Sequence, residues 1–506
     1  MSGIAAGFGK PVKKDIEKMF EKIAHRGNYL SGIVHNNKTI MAQNYLKADA
    51  GNAEKDFKPP VGSSQNQNLM ICYDGQIGNL TQLAMDFNIP SGPFKEERLL
   101  LTLYQKLGRD MFRYLDDAIF SFIISDGENI FAARDLLGIK TLFYGRKDDT
   151  IYFSSELKSI VEVADQVYEF PAGHWMDKNR KFVRFADLPE KPPQEQKTDL
   201  NQIVEDIRNI IEQSIRNRVH LDEHTGALLS GGMDSSVIAY LGSMLYKEKF
   251  GKDARLKTYA IGVGESGDIK NARIISNHIG SDHHELLVNL DQILEVIPEV
   301  IYYLESFDPS LVRSSISNFL ISKYAKDQGI EELLSGEGGD EIFCGYTYLK
   351  RFPLQEMFSR QMECLRFLHN NASLRLDRMN QCHSVRVVAP LISGRLLSYT
   401  MSIPPEYKQK PEQNKKIEKW IFRKAYEPFL PSAITERIKQ EFSQGSGSAA
   451  VLPNHFEKQI DDQQFAEAQK KFPMVRSKEE LYYFNLFTKY FGTTSAVKTV
   501  GQWITL

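Results

Sequence analysis

The stretch LLSGGMDSSV, Leu228 to Val237, constrains this chain more than any other. An apolar strand ends, Ser230-Gly231-Gly232 turns the chain, and Asp234-Ser235-Ser236 opens a helix. The two glycines let backbone approach a ligand closely. The free N–H groups and positive dipole end of the helix favour phosphate. Ser235 and Ser236 add hydroxyl donors, while Asp234 would repel a bare phosphate. The natural role of Asp234 is therefore to hold a magnesium ion that bridges phosphates. Taken alone, the same residues also describe a capped turn, because Asp and Ser are ordinary N-caps. The loop is not a Walker A loop, since no Gly-Lys-Ser/Thr follows.

A second loop narrows the choice. EELLSGEGGDEIFCGY, Glu331 to Tyr346, is another apolar strand ending in Ser-Gly, followed by the acids Glu337, Asp340 and Glu341 among glycines. Like charges crowded this way are costly without a cation. Asp234 and Asp340, each at the end of a neighbouring parallel strand, are the expected pair to share magnesium. A solvated acidic turn would explain the second loop by itself, but not the two together.

The rest of the chain sets these loops in context. At 506 residues it is too long for one ordinary domain. Short β-branched or aromatic runs fill the first half (SGIVHN, NLMICYDG, DDAIFSFIIS, NIFAARD, TLFYGR, TIYFSSEL). Helical patterns interrupt them at VKKDIEKMFEKIAH and KEERLLLTLYQKLG, which predicts a β-rich α/β domain. LPEKPPQEQKTD then reads as a linker. The expected division is a first domain over 1–188, a linker over 189–199 and a second domain over 200–506. NQIVEDIRNIIEQSIRNRV is an amphipathic helix, and GALLS, KTYAIGV and EELLSGEGG alternate with helices. That alternation implies a parallel sheet with ligands beyond the strand C-termini. SQGSGSAA, after Phe442, reads as a mobile loop.

With 42% apolar and 25% charged residues and a net charge of -2, nothing points to a nucleic acid or an anionic membrane surface. The four cysteines share no short spacing, which fits reduced thiols in a cytoplasm. The N-terminus lacks the apolar run of a signal peptide, and no membrane span is expected.

The chain resembles the glutamine-dependent asparagine synthetases nearly end to end. SGGMDSS is similar to their pyrophosphate loop and SGEGGDEIFCGY to their second signature. Between and after these, AIGVGESGDIKNARIISNHIGSDHHE, LESFDPSLVRSS and KKIEKWIFRKAYEPFLPSAITERIKQEFSQGSG match family segments in order. The resemblance implies an N-terminal-nucleophile αββα sandwich, followed by a mostly helical ATP-pyrophosphatase domain around a parallel sheet. It implies an ATP-dependent ligase that adenylates a carboxylate, releases AMP and pyrophosphate, and forms an amide. On it, Ser230, Gly231, Gly232, Asp234, Ser235 and Ser236 hold the pyrophosphate end of ATP, and Leu229, Ile261, Ser335 and Gly336 contact the rest. Asp234 and Asp340 bind Mg2+. Glu337 handles acyl-adenylate formation and the amine. Lys439, by itself an ordinary surface lysine, matches a mobile-loop lysine that neutralises charge at the reacting phosphate. Magnesium and a lysine suit the negative charge that builds on attack at the α-phosphate. A homodimer is implied by the resemblance alone.

The first half departs from the pattern. Removal of Met1 would normally expose a nucleophilic cysteine, and here Ser2 follows. Tyr45 stands where the family has an arginine for the glutamine carboxylate. Asp74-Gly75-Gln76 replaces Asn-Gly-Glu, so Asp74 would bring negative charge to the oxyanion hole. The family's aspartate for the glutamine amine aligns at Glu96. His25-Arg26-Gly27, Ser31-Gly32, Ala133-Arg134-Asp135 and Gly138-Ile139-Lys140 persist. These residues predict a domain that keeps the fold and has lost glutamine chemistry.

Nitrogen would then come from ammonia, a primary amine, or an amine within the substrate, as in the β-lactam synthetases. Those relatives have tyrosine where this chain has Glu337. VRVVAPLIS replaces VEARVPFLD, putting Arg386, Val388 and Ser393 at positions of glutamate, arginine and aspartate. Arg386 is either a contact for an acidic substrate group or an unrelated structural exchange. Arg313 matches a segment placed near the acyl substrate. Two other readings stand beside the ligase: a non-catalytic paralogue acting as scaffold, and a working Ser2 amidohydrolase.

Overall fold

The computed structural model describes residues 2–51, 53–63, 68–412, 415–440, 442–445 and 451–503. Contacts divide the chain into two compact units. One comprises Met1–Leu188, Gln381–Arg386 and Tyr490–Val500, and the other Pro189–Asn380, Val387–Lys489 and Gly501–Leu506. The two late segments of the first unit are tied into it by hydrogen bonds. Ser384 Oγ donates to the His25 carbonyl at 2.8 Å, and the Val167 N–H donates to Ser495 Oγ at 3.0 Å.

The strands of the first unit are β1 (Ser2–Phe8), β2 (Leu30–Asn36), β3 (Thr39–Tyr45), β4 (Val61–Gly62), β5 (Met70–Ile77) and β6 (Ala118–Ser125). β7 (Ile130–Arg134), β8 (Phe143–Lys147), β9 (Thr150–Ser154), β10 (Gln166–Glu169), β11 (His174–Met176) and β12 (Phe182–Arg184) complete it. They form two six-stranded sheets, ordered β10-β8-β9-β1-β3-β2 and β12-β11-β7-β6-β5-β4. Every pairing in both is antiparallel.

Alternate residues of β1 (Ile4, Ala6, Phe8) join Met41, Ile151 and Phe153 of their own sheet and Cys72, Ile123, Ala132 and Met176 of the other in one buried cluster. A strand's side chains point alternately to its two faces, so this cluster is the seam of a sandwich. The second sheet's outer face (Tyr73, Phe120, Phe122) packs on Leu99, Leu100 and Leu103 of the Lys95–Leu107 helix. The first sheet's outer face meets the Lys13–Glu21 helix, where Ile16 Cδ1 lies 3.2 Å from a Cβ built at Gly7. The result is the αββα sandwich that the resemblance implies. β1 is buried along its whole length, and β1 and β3 lack the alternation that would have marked them as strands in the sequence.

In the second unit β13 (Thr225–Leu228), β14 (Lys257–Val263), β15 (Asp282–Val288), β16 (Glu332–Leu334) and β17 (Arg386–Val388) form a sheet ordered β15-β14-β13-β16-β17. The pairs β15–β14, β14–β13 and β13–β16 are parallel. Asp199 ends the Pro-rich stretch by capping the Leu200–Arg218 helix, accepting from the N–H groups of Asn201 and Gln202 at 3.0 and 3.2 Å. Because β13 and β16 are parallel neighbours, the loops after them emerge side by side. The SQGSGSAA patch, expected to be mobile, lies from residue 446 outside the described residues. Among the described residues no helix is long and apolar enough to cross a membrane.

Candidate active site

The loop after β13 is shaped by glycine. Gly231 has φ +65°, and a Cβ there would collide with the backbone of Asn271, so no side chain fits. Gly232 is the N-cap of the 18-residue Met233–Phe250 helix and gives it no side-chain cap. The helix therefore keeps free N–H groups at its start. Ser235 Oγ knits the turn by accepting from the Ser230 N–H at 3.2 Å and donating to the Gly232 carbonyl at 3.2 Å. Ser236 Oγ is buried without a hydrogen-bond partner.

The loop after β16 is shaped by the first loop. A Cβ at Gly336 would lie 2.5 Å from the Ser235 nitrogen, and one at Gly339 would strike the Asp234 carboxylate. The glycines of the second signature thus serve close approach between the two motifs. Asp234 and Asp340 meet across this contact. Lys419 Nζ bonds Asp234 Oδ2 and sits 2.7 Å from Asp340 Oδ1, and Lys439 Nζ is 2.6 Å from Asp340 Oδ2. Burial opposes ionisation of Asp340, but the two ammonium groups overcome it and hold the carboxyl well below its usual range. Glu341, beside it, is pushed up to about 7 by burial and by the Asp340 charge, and accepts from Tyr346 OH at 2.6 Å.

These residues suit a magnesium ion. Asp234 Oδ1 is buried and accepts no hydrogen bond, which leaves an acceptor for a cation. Among the described residues no cluster of three or more His, Cys, Asp or Glu could hold a metal ion. Two carboxylates with the remaining positions left to phosphates and water is a common magnesium arrangement.

One cleft collects most of the positions singled out in the sequence. Leu229, Ser230, Gly232, Asp234, Ser235 and Ile261 line it, together with Ser335, Gly336, Glu337, Asp340 and Lys439. Gly231 and Ser236, in the same loop and helix, are not among the lining residues. Glu337 is ion-paired with Arg375, a buried arginine of the Ala372–Gln381 helix.

The sequence reading missed several lining residues. Arg437 donates to the Ser230 carbonyl at 3.2 Å and to Asp268 Oδ1 at 2.7 Å, bracing the first loop. Lys419 and Arg437 belong to the same quoted segment as Lys439, so that segment was the available signal. Ser310, Ser314, Asn318 and Ile321 form one stripe of the Pro309–Asp327 helix along the cleft. Trp503 also lines the cleft. Its backbone N–H donates to Asp308 Oδ2 at 2.9 Å, and its ring centroid lies 5.5 Å from that of Tyr346.

Arg313, which matches a segment near the acyl substrate, and Arg386, left open between a substrate contact and a structural exchange, are both engaged by carboxylates outside the cleft. Arg313 lies about a quarter turn round its helix from the cleft-facing stripe. Its Nε donates to Glu479 Oε1 at 2.9 Å, so its charge is satisfied elsewhere. Arg386 donates to Asp49 Oδ1 at 3.0 Å within the first unit, and Val388 is buried. Neither arginine lines the cleft.

In the first unit the β1–β3 register sets Ser2 opposite Tyr45. Ser2 Oγ donates to the Tyr73 carbonyl and accepts from Gln43 Nε2 at 3.0 Å. Its N–H donates to Asp74 Oδ1 at 3.2 Å. Asp74 was expected to bring negative charge to the oxyanion hole. The structure pairs that charge with Arg26 at 2.9 Å and Lys140 at 3.3 Å, all three buried. Tyr45 OH donates to Glu97 Oε1 at 2.9 Å. Glu96 Oε1 accepts from the Ile77 N–H at 2.7 Å, and burial raises its pKa. A Cβ at Gly75 would lie 2.5 Å from the Ile119 carbonyl, while Gln76 Nε2 is buried without a partner.

The asparagine synthase family model matches residues 206–362 and 350–485, and a glutamine amidotransferase domain model matches 1–184. The chain is 31% identical to an asparagine synthetase (glutamine-hydrolyzing) of Triphysaria versicolor, covering 96% of this chain and 84% of the relative. It is 30% identical to a probable asparagine synthetase of Dictyostelium discoideum (97% and 93%), and 31% identical to asparagine synthetase 1 of Saccharomyces cerevisiae (100% and 96%).

Proposed function

The chain belongs to the asparagine synthase family of ATP-dependent amide-forming ligases, and we propose that it adenylates a carboxylate and passes the acyl group to ammonia or an amine without hydrolysing glutamine. The meeting of Asp234 and Asp340, with Lys439 beside them, carries the first half of this reading. A carboxylate oxygen of the substrate attacks the α-phosphorus of ATP, and the bond to the β-phosphate oxygen breaks. Pyrophosphate leaves toward the N-terminus of the Met233–Phe250 helix, whose N–H groups and serines suit it. Magnesium held by Asp234 and Asp340 would spread the charge of the triphosphate. Lys439 adds a cation where negative charge develops. The nitrogen then attacks the acyl carbon, AMP departs with the bonding electrons, and Glu337 would accept the nitrogen's proton.

The state of the first unit supports the second half. Tyr45 and Glu97 satisfy each other where a glutamine carboxylate would need a cation, and Asp74 is neutralised by Arg26 and Lys140. A second reading, glutamine-dependent asparagine synthesis from Ser2, is favoured by the amidotransferase match and by the names of the relatives.

One assay separates them. Pyrophosphate release is measured with ATP, magnesium and a panel of carboxylic acids, aspartate first, with ammonia, glutamine or simple amines as nitrogen donor. The proposal expects turnover with ammonia or an amine and no glutamate from glutamine. Glutamate formation coupled to turnover would establish the second reading, and no pyrophosphate with any acid would remove the ligase proposal.

A further inference from the structure

We propose that Lys419 is a built-in stand-in for the divalent cation: its ammonium bridges Asp234 and Asp340 in the metal-free protein and leaves that position when the ion arrives. The inference rests on the reading of Asp234 and Asp340 as metal ligands.

The geometry is that of a bridging cation. Lys419 Nζ touches one oxygen of each carboxylate, whereas Lys439 reaches only Asp340. The Lys419 side chain is 1% exposed, and a Cβ at Gly345 would strike its Cε, so the glycine makes room for the lysine stem. Lys419 also adopts the left-handed backbone conformation at φ 55°, uncommon for a residue with a side chain. Non-glycine residues persist in that region where surrounding structure over-determines them, often at ligand sites.

Charge balance supplies the reason. Two like carboxylates held this close would repel strongly in a partly desolvated site. Lys419 and Lys439 together neutralise them. A divalent ion added alone would leave the site with excess positive charge, whereas one arriving with a triphosphate brings its own counter-charge. A lysine on a flexible four-carbon stem can then move from carboxylate to phosphate oxygens without backbone motion. Lys419 thus makes metal entry conditional on nucleotide.

The test is Mn2+ binding to the full chain, followed by the loss of the free-ion EPR signal, with and without a non-hydrolysable ATP analogue. Without nucleotide, wild type should bind Mn2+ weakly, and Lys419→Met should bind it at least about tenfold more tightly. Lys419→Arg, which keeps the cation, should stay weak. A lysine with a merely structural role would lower thermal stability on replacement and leave Mn2+ affinity unmoved. Equal or weaker binding by Lys419→Met overturns the inference. If that variant does not fold, wild type decides: nucleotide-free Mn2+ affinity as high as that with the analogue overturns it too. Asp234→Asn reports separately, since unchanged Mn2+ binding in the presence of the analogue would remove the metal-ligand reading itself.

Discussion

Tyr45 donates its phenolic hydrogen to Glu97 Oε1 at 2.9 Å, and both side chains are buried. Burial, reinforced by the neighbouring Glu96 charge, pushes the Glu97 carboxyl up to about 7 from its ordinary 4.5. A pKa raised by folding gives stability that is intact below the unfolded value and lost as pH climbs through the folded one. Glu97 should therefore cost wild type about 3 kcal/mol between pH 4.5 and pH 7. Glu97→Gln keeps the acceptor and removes the titration. Its melting temperature relative to wild type should be higher at pH 8 than at pH 5, and equal differences at the two pH values would contradict the assignment.

Restoring the nucleophile alone should not restore glutamine chemistry. Ser2→Cys leaves the Tyr45–Glu97 pair and the Asp74–Arg26–Lys140 cluster in place. Glutamate released from glutamine, read with a coupled dehydrogenase, should stay at background. Appreciable release would show that the pocket accepts glutamine as it stands.

The loops after β13 and β16 should be separable by one methyl group. Gly336→Ala puts a carbon 2.5 Å from the Ser235 nitrogen and must push the loops apart. Pyrophosphate release should fall about tenfold or more while far-ultraviolet circular dichroism stays unchanged, since misplacement of about 1 Å costs up to 100-fold. Normal turnover would mean the loops need not touch.

Asp340→Asn should reduce pyrophosphate release by about 100-fold or more, the scale on which a lost charge-stabilising group acts. Raising magnesium should recover part of the loss. Activity near wild type at all magnesium concentrations would place the ion elsewhere.

Trp503 should govern the acid and not the nucleotide. Its ring packs on Tyr346 where both line the cleft, whereas Leu229 and Ile261 are the residues assigned to the nucleotide. Trp503→Ala should raise KM for the carboxylate about tenfold and leave KM for ATP within about twofold, the pattern of lost ground-state binding. Parallel increases in both would assign the indole to general packing.

Much of the first loop was legible because its determinants are local. Gly231 needs a positive φ, and a helix start that lacks a side-chain cap offers free N–H groups, whatever surrounds them. The second loop was legible for its acids, but the reason for its glycines was not. Gly336 and Gly339 are set by the approach of Ser235 and Asp234, about 100 residues earlier in the chain. The strands β1 and β3 escaped notice because both faces are buried, which erases the alternation on which strand reading depends.

The sequence by itself determined two strand–loop–helix motifs, their acidic and glycine residues, and the departures at Ser2, Tyr45 and Asp74. Spacing within ten or so residues fixes such features, since backbone stereochemistry and helix ends act over that range. Only the tertiary structure decided which charges meet. It gave Arg313 to Glu479 and Arg386 to Asp49, so that neither faces the cleft, and it balanced Asp74 with Arg26 and Lys140. It also brought Lys419 to Asp234, 185 residues apart in sequence. A long charged side chain takes whichever opposite charge the packing of distant segments delivers, and no local pattern records that choice.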